Sequence, residues 1–157
     1  MSIVHPELTS RGYLPAGTDV AATVREGDER ALHAVWDTFY EIQFIRERLL
    51  PALDTDPEKA EAASLTRADL AGLADVSALQ ALAANQRLVE LLTGRRWMTM
   101  QAAREAGASW AAIGEALSMT KQGAMDWYKR KIELQEQHVP DFHDAARARA
   151  VLAGDTE

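Results

Sequence analysis

Between Thr120 and Lys131 the chain sets out hydroxyl, amide, thioether and cationic side chains at helical spacing: Thr120, Lys121, Gln122, Met125, Lys129 and Arg130. These types suit a polyanion that carries patterned donor and acceptor edges. A glutamine amide donates and accepts in one plane and so matches an adenine edge; a lysine donates to guanine or to phosphate; a methionine can touch a thymine methyl. Asp126 interrupts the set. It can accept from cytosine, or lie aside in a salt bridge with Lys129 or Arg130. From Arg95 to Lys131 seven cations stand against three carboxylates, a local +4, whereas the whole chain has 17 Lys and Arg against 24 Asp and Glu, net −7. A basic segment in an acidic body offers one anion-binding face and repels a polyanion elsewhere. The plainer alternative is that the cations complement helix C-termini and bridge to nearby carboxylates.

The elements that must hold these residues are punctuated clearly in TMQAAREAGASWAAIGEALSMTKQGAMDWYKRKIEL, residues 99–134. A first helix over about 98–106 stops at Gly107, and Ser109 caps a second, WAAIGEAL, by accepting from a free amide of its first turn. After the short turn Ser118-Met119, Thr120 caps a third helix that runs to about Gln135. Ile113 and Leu117 supply the inner face of the second helix, Ala124 and Trp127 that of the third, and Met119 plugs the turn. Gly114 falls where the two helices cross and permits close approach. That packing leaves Thr120, Lys121, Gln122, Met125 and Lys129 outward, the face a helix-turn-helix presents to the major groove.

At these residues AREAGASWAAIGEALSMTKQGA resembles the helix-turn-helix of actinobacterial transcriptional regulators, a motif close to A-G-A-S-W-x-x-I-G-x-A-L-G-x-[ST]-[RK]-Q-A-A and similar in shape to region 4 of sigma factors. Ala106, Gly107, Ala108, Ser109, Trp110, Ile113, Gly114, Ala116, Leu117, Thr120, Lys121 and Gln122 match it. Ser118 stands where the motif has a turn glycine, and Gly123 replaces a helix-favouring alanine, loosening that helix by about 1 kcal/mol. The likeness covers about a quarter of the chain and implies that the second helix docks the motif while Lys121, Gln122 and Met125 on the third read bases. Arg95 and Arg96, just before the motif, stand where a backbone clamp would lie; Ser109, Lys129 and Arg130 complete the expected phosphate contacts.

The rest of the 157 residues reads as helical support. Residues 1–17, with Pro6, Gly12, Pro15 and Gly17, form an irregular arm in which Arg11 could reach a minor groove. Thr18 or Asp19 can cap a helix, Gly27 marks a break, and Leu32, Val35, Phe39, Ile42, Leu49 and Leu53 make an amphipathic helix ending near Pro51. Trp36, Tyr40, Phe44 and Ile45 widen its apolar surface, which implies a partner helix or partner chain. Residues 54–64 read as an acidic connector. Thr66 opens a second helical region through Leu92, with a break around Asp75 to Ser77 and an end or bend at Gly94. Asp141 is the expected cap of the last helix. His138 and His143 around it are surface residues, with no metal site expected, and the four tryptophans are core anchors.

Composition narrows the function. Apolar residues are 47% and charged ones 26%, with 29 alanines, so the chain is globular and helix-rich. The longest uncharged stretch, between Asp75 and Arg87, is 11 residues, too short to span a bilayer. No secretory signal is visible at the N-terminus, and the absence of cysteine removes disulfides and thiolate chemistry. No Gly-rich phosphate loop and no Ser-His-Asp arrangement stands out, so no enzyme activity and no cofactor are expected. The sequence therefore predicts an all-α protein in three parts: an arm over 1–17, an acidic helical dimerisation or partner region over 18–94, and a helix-turn-helix domain with a trailing helix over 95–157. The expected function is sequence-specific binding of double-stranded DNA by a homodimeric, cytoplasmic and nucleoid-associated bacterial regulator. The competing expectation is a helical module that binds RNA polymerase or another regulator, the motif being structural.

Overall fold

Carboxylate and hydroxyl caps decide where most helices begin. In the computed structural model, which describes residues 4–142 and 144–153, the Asp19 carboxylate accepts from Ala22 N–H at 2.9 Å and opens α1 (Val20–Glu26). Asp28 does the same for α2 (Glu29–Phe44), accepting from Ala31 N–H at 2.8 Å. The expected stop at Pro51 is not observed. A π turn over Ile45–Leu49 is followed directly by α3 (Leu50–Asp54), with Pro51 in its first turn. A proline in an unbroken α-helix would press on the carbonyl four residues back. The wider turn moves that carbonyl aside and leaves Pro51 at a position that needs no donor.

The acidic connector is shorter than the composition suggests. Asp56 caps a 3-10 turn over Pro57–Lys59, and α4 (Ala60–Ala71) begins six residues before Thr66, in an alanine-rich run of high helix propensity. The break expected around Asp75 to Ser77 is present but begins earlier, at Gly72, which ends α4. Ser77 and Gln80 then form a reciprocal capping box, the Ser77 N–H donating to Gln80 Oε1 at 2.9 Å and the Gln80 N–H to Ser77 Oγ at 3.2 Å. It opens α5 (Ala78–Glu105), which passes through Gly94 without ending there. One interior glycine costs about 1 kcal/mol, and the flanking residues Leu88, Trp97 and Met100 are each buried and offset it.

The protein is all-helical, with no strand among the described residues and only two isolated bridges, Val4 to Gly27 and Pro15 to Leu73. It divides into two compact units, one up to Leu91 and one from Leu92. In the first, Leu14, Val20, Leu32, Val35, Val76, Ala81, Ala84 and Leu88 form the core. The arm is part of it. Leu14 is fully buried, its N–H donates to Thr38 Oγ1 at 2.9 Å, and its carbonyl accepts from Ala74 N–H at 2.9 Å. Arg11 pairs with Glu41 at 2.9 Å and lies over the Tyr13 ring. In the second unit the end of α5 packs with α6 (Trp110–Ala116), α7 (Lys121–His138) and α8 (Ala145–Ala150) around Trp97, Met100, Trp110, Ile113, Ala124, Tyr128, Ile132 and Ala148. Asp144, not Asp141, caps α8, accepting from Arg147 N–H at 3.0 Å; Asp141 lies in the preceding 3-10 turn Pro140–Phe142. His143 lies outside the described residues.

Candidate functional site

Two helix ends of the same kind frame α6. At the end of α5, Ala108 N–H donates to Ala103 O and Gly107 N–H to Arg104 O, both at 2.9 Å; at the end of α6, Met119 N–H donates to Gly114 O at 2.7 Å and Ser118 N–H to Glu115 O at 3.1 Å. Each is the Schellman pair that requires a left-handed residue just past the helix. Gly107 has φ +94° and Ser118 φ +54°. The helix that begins after each turn is capped as the sequence predicts: Ser109 Oγ accepts from Ala112 N–H at 3.1 Å, and Thr120 Oγ1 from Gly123 N–H at 3.0 Å.

Gly114 closes the turn. A Cβ built there would lie 2.8 Å from Met119 O and 3.0 Å from both the carbonyl carbon and the oxygen of Thr120, all backbone atoms that cannot move independently. The close approach is thus to the turn itself rather than to a side chain of α7. Ile113 is buried and Leu117 half-buried against the core, as an inner face of α6 demands. On α7 the inner face is Ala124, Tyr128 and Ile132, each fully buried, at spacings of four. Trp127 is only half-buried at the edge of this core, so the facing residue after Ala124 is Tyr128. The Tyr128 hydroxyl donates to Ala148 O at 2.7 Å and ties α7 to α8; burial first, and then the charge of Glu105, push its phenol up to about 12. Each aromatic neighbour fits helical spacing, and the four-residue step to Ile132 would have picked the right one.

This inner face sets what α7 shows to solvent. Thr120, Gln122, Asp126, Lys129 and Arg130 are exposed, whereas Lys121 is half-buried and Met125 is half-buried with its side chain against the core. Met125 is therefore less available than the outward placement predicted. Gln122 Nε2 donates to Asp126 Oδ1 at 2.8 Å, so Asp126 holds the glutamine amide and does not need Lys129 or Arg130 for a partner. Ser109 and Arg95 are exposed as well.

The chain matches no family model, no curated protein and no solved structure. What the second unit can do rests on its own side chains. Trp127, expected only as a core anchor, is also a cation platform: the Arg96 guanidinium lies 5.4 Å from its ring centre and Lys131 Nζ 5.8 Å. It brings a cation of α5 and one of α7 to one place, and the exposed Arg130 precedes Lys131 in the chain. Residue type alone does not mark Lys131, because its role depends on the tryptophan four positions earlier. Arg104 serves differently. Its Nη1 donates to Ala108 O at 2.7 Å, its Nε to Val151 O at 3.2 Å, and its plane lies over Trp110, so it braces the corner between α5 and α6. Glu105 is bound at both oxygens by Arg147, at 2.6 Å each, and by Gln101 at 2.9 Å; these bonds, Arg147's above all, hold its carboxyl down to about 2. No helix among the described residues is long and apolar enough to cross a membrane.

Proposed function

We propose that the second unit binds double-stranded DNA in the major groove through the first half of α7, and that the protein acts as a homodimeric transcriptional regulator held together by helices of the first unit. The observation that carries this reading is the α6 to α7 turn: two Schellman and cap pairs, with Gly114 against the turn backbone, set a cationic helix whose exposed residues are Thr120, Gln122, Asp126, Lys129 and Arg130. On this reading Gln122, released from Asp126, and Lys121 contact base edges, with Met125 reaching a thymine methyl at the rim. Arg95, Arg96, Ser109, Lys129, Arg130 and Lys131 contact phosphates. A module that binds a protein partner is favoured by one feature, the carboxylate of Asp126 in the middle of the exposed face.

Salt separates the two readings. Selection of bound fragments from a random duplex pool at two salt concentrations should yield a consensus, with affinity falling steeply as salt rises. Combining Lys121→Ala with Gln122→Ala should weaken that consensus at least tenfold and leave helicity unchanged. A recovered pool with no consensus, bound equally by wild type and double variant, would overturn the assignment.

A further inference from the structure

Helix α5 is apolar on two sides in the first unit. Ala81, Ala84 and Leu88 are buried in its core, while Leu79, Leu82 and Val89 on another face are 78%, 60% and 50% exposed. A helix that buries one stripe normally turns polar residues outward. Here the chain carries no charge from Val76 to Gln86, the longest such stretch it has. The next residue, Arg87, is turned into its own unit and donates to the Val24 carbonyl. Glu90 accepts from Gln86 at 3.0 Å within the helix.

The charge pattern says what could cover this face. Residues 1–91 hold eight Arg and Lys against fifteen Asp and Glu, net −7. Two copies of this unit repel over most of their surfaces, and a two-fold axis sets each residue near it against its own image, so any charge there would oppose itself. Only a neutral patch escapes that penalty. The polar members of this patch, Asn85 and Gln86, carry amides, which donate and accept and can therefore pair with their own copies. A cationic partner would be served better by the acidic faces of the same unit.

We propose that the face of α5 bearing Leu79, Leu82, Asn85 and Val89 is a homodimer interface, paired about a two-fold axis with a second copy of the chain. This rests on the dimeric reading above and names its surface. The stretch from Ala78 to Glu90 is about 20 Å long at 1.5 Å per residue, so the contact lies at the small end of specific interfaces and the dimer forms in a concentration-dependent way.

Sedimentation velocity of the full chain over a range of concentrations tests it. Wild type should shift from monomer to dimer as concentration rises; Leu82→Glu should stay monomeric with wild-type helicity, and Leu65→Glu, on an exposed position of α4, should dimerise like wild type. Because the chain has no cysteine, Asn85→Cys supplies a single thiol that should give a disulfide-linked dimer on oxidation, whereas Leu65→Cys should not. This second pair of variants decides the matter if Leu82→Glu fails to fold. A wild-type dimer that persists in Leu82→Glu, or that links through Leu65→Cys but not Asn85→Cys, overturns the α5 face and leaves a homodimer standing. A wild type that is monomeric at every concentration overturns both.

Discussion

The turns on either side of α6 are built with the same pair of backbone hydrogen bonds, yet one places glycine and the other serine at the left-handed position. At Gly107 a Cβ would meet nothing within 4 Å, so what glycine supplies there is conformational freedom alone. Ser118 takes up the same kind of conformation with a side chain, at a cost of order 1 kcal/mol. The turn after α6 tolerates this because its geometry is held from the other side, where Gly114 lets the backbone of Met119 and Thr120 come into contact. Space at Gly114 and torsion at Gly107 are thus two distinct demands met by one residue type, and substitutions can separate them.

Gly114→Ala should be the most disruptive change. Its Cβ would meet three backbone atoms at 2.8 to 3.0 Å, so the turn must open, which costs about 1–3 kcal/mol as overpacking of a filled site does. Chemical denaturation would show the loss, and DNA binding, on the reading proposed, would fall with it because Thr120 and the start of α7 shift. An unchanged midpoint would mean that the α6 to α7 turn is not tightly seated. Gly107→Ala should cost somewhat less, about 1–2 kcal/mol, purely from φ +94°. Since nothing crowds that Cβ, the loss should not grow with a larger side chain such as serine, whereas at Gly114 it should.

These two glycines also mark what could be read in advance. Caps and stops at Ser109, Thr120 and Gly107 are local chemistry written in single residues, and they lie in the structure where the sequence puts them. Gly94 carries the same letter as Gly107 without a cap after it, and α5 runs through it, because burial at Leu88 and Trp97 outweighs one residue's propensity. The π turn at Ile45–Leu49 was invisible since proline has two outcomes in a helix, a stop or a bulge, and neighbouring packing selects between them. Leu14 is hidden in the sequence for another reason. A single apolar residue in an irregular arm has no period, and only the bonds to Thr38 and Ala74 reveal that the arm is core. On α7 the ambiguity lay between steps of three and four from Ala124; the choice of Tyr128 over Trp127 turns Met125 partly inward and frees Trp127 to gather Arg96 and Lys131.

The converse substitution sharpens the comparison with opposite sign. Ser118→Gly relieves a left-handed serine and should raise stability by about 0.5–1 kcal/mol, the relief being partly offset by the greater freedom glycine gives the unfolded chain. A rise in the denaturation midpoint with α7 still capped by Thr120 is the expected result. A fall would mean that the serine side chain makes a contribution of its own in the turn.

The smallest effect concerns the carboxylate that ends α5. Glu105 lies in the last turn, where the helix dipole disfavours a negative charge, and it is kept ionised by Arg147 and Gln101, which lower its carboxyl to about 2 from an ordinary 4.5. A carboxyl lowered on folding stabilises the fold above its unfolded value and loses that contribution as pH falls through the folded one. The window is therefore about pH 4.5 down to 2. Glu105→Gln should flatten the acid limb of the stability curve there and leave stability near pH 7 only slightly reduced, since this pair is open to solvent and screened. The turn after α6 contains no such carboxylate and arginine fork among the described residues, so Ser118→Gly should move the curve at every pH alike, whereas Glu105→Gln should act on its acid side. If both variants flattened the acid limb, the two turns would be unfolding as one element, and the separation of their roles drawn from Gly107 and Gly114 would fail.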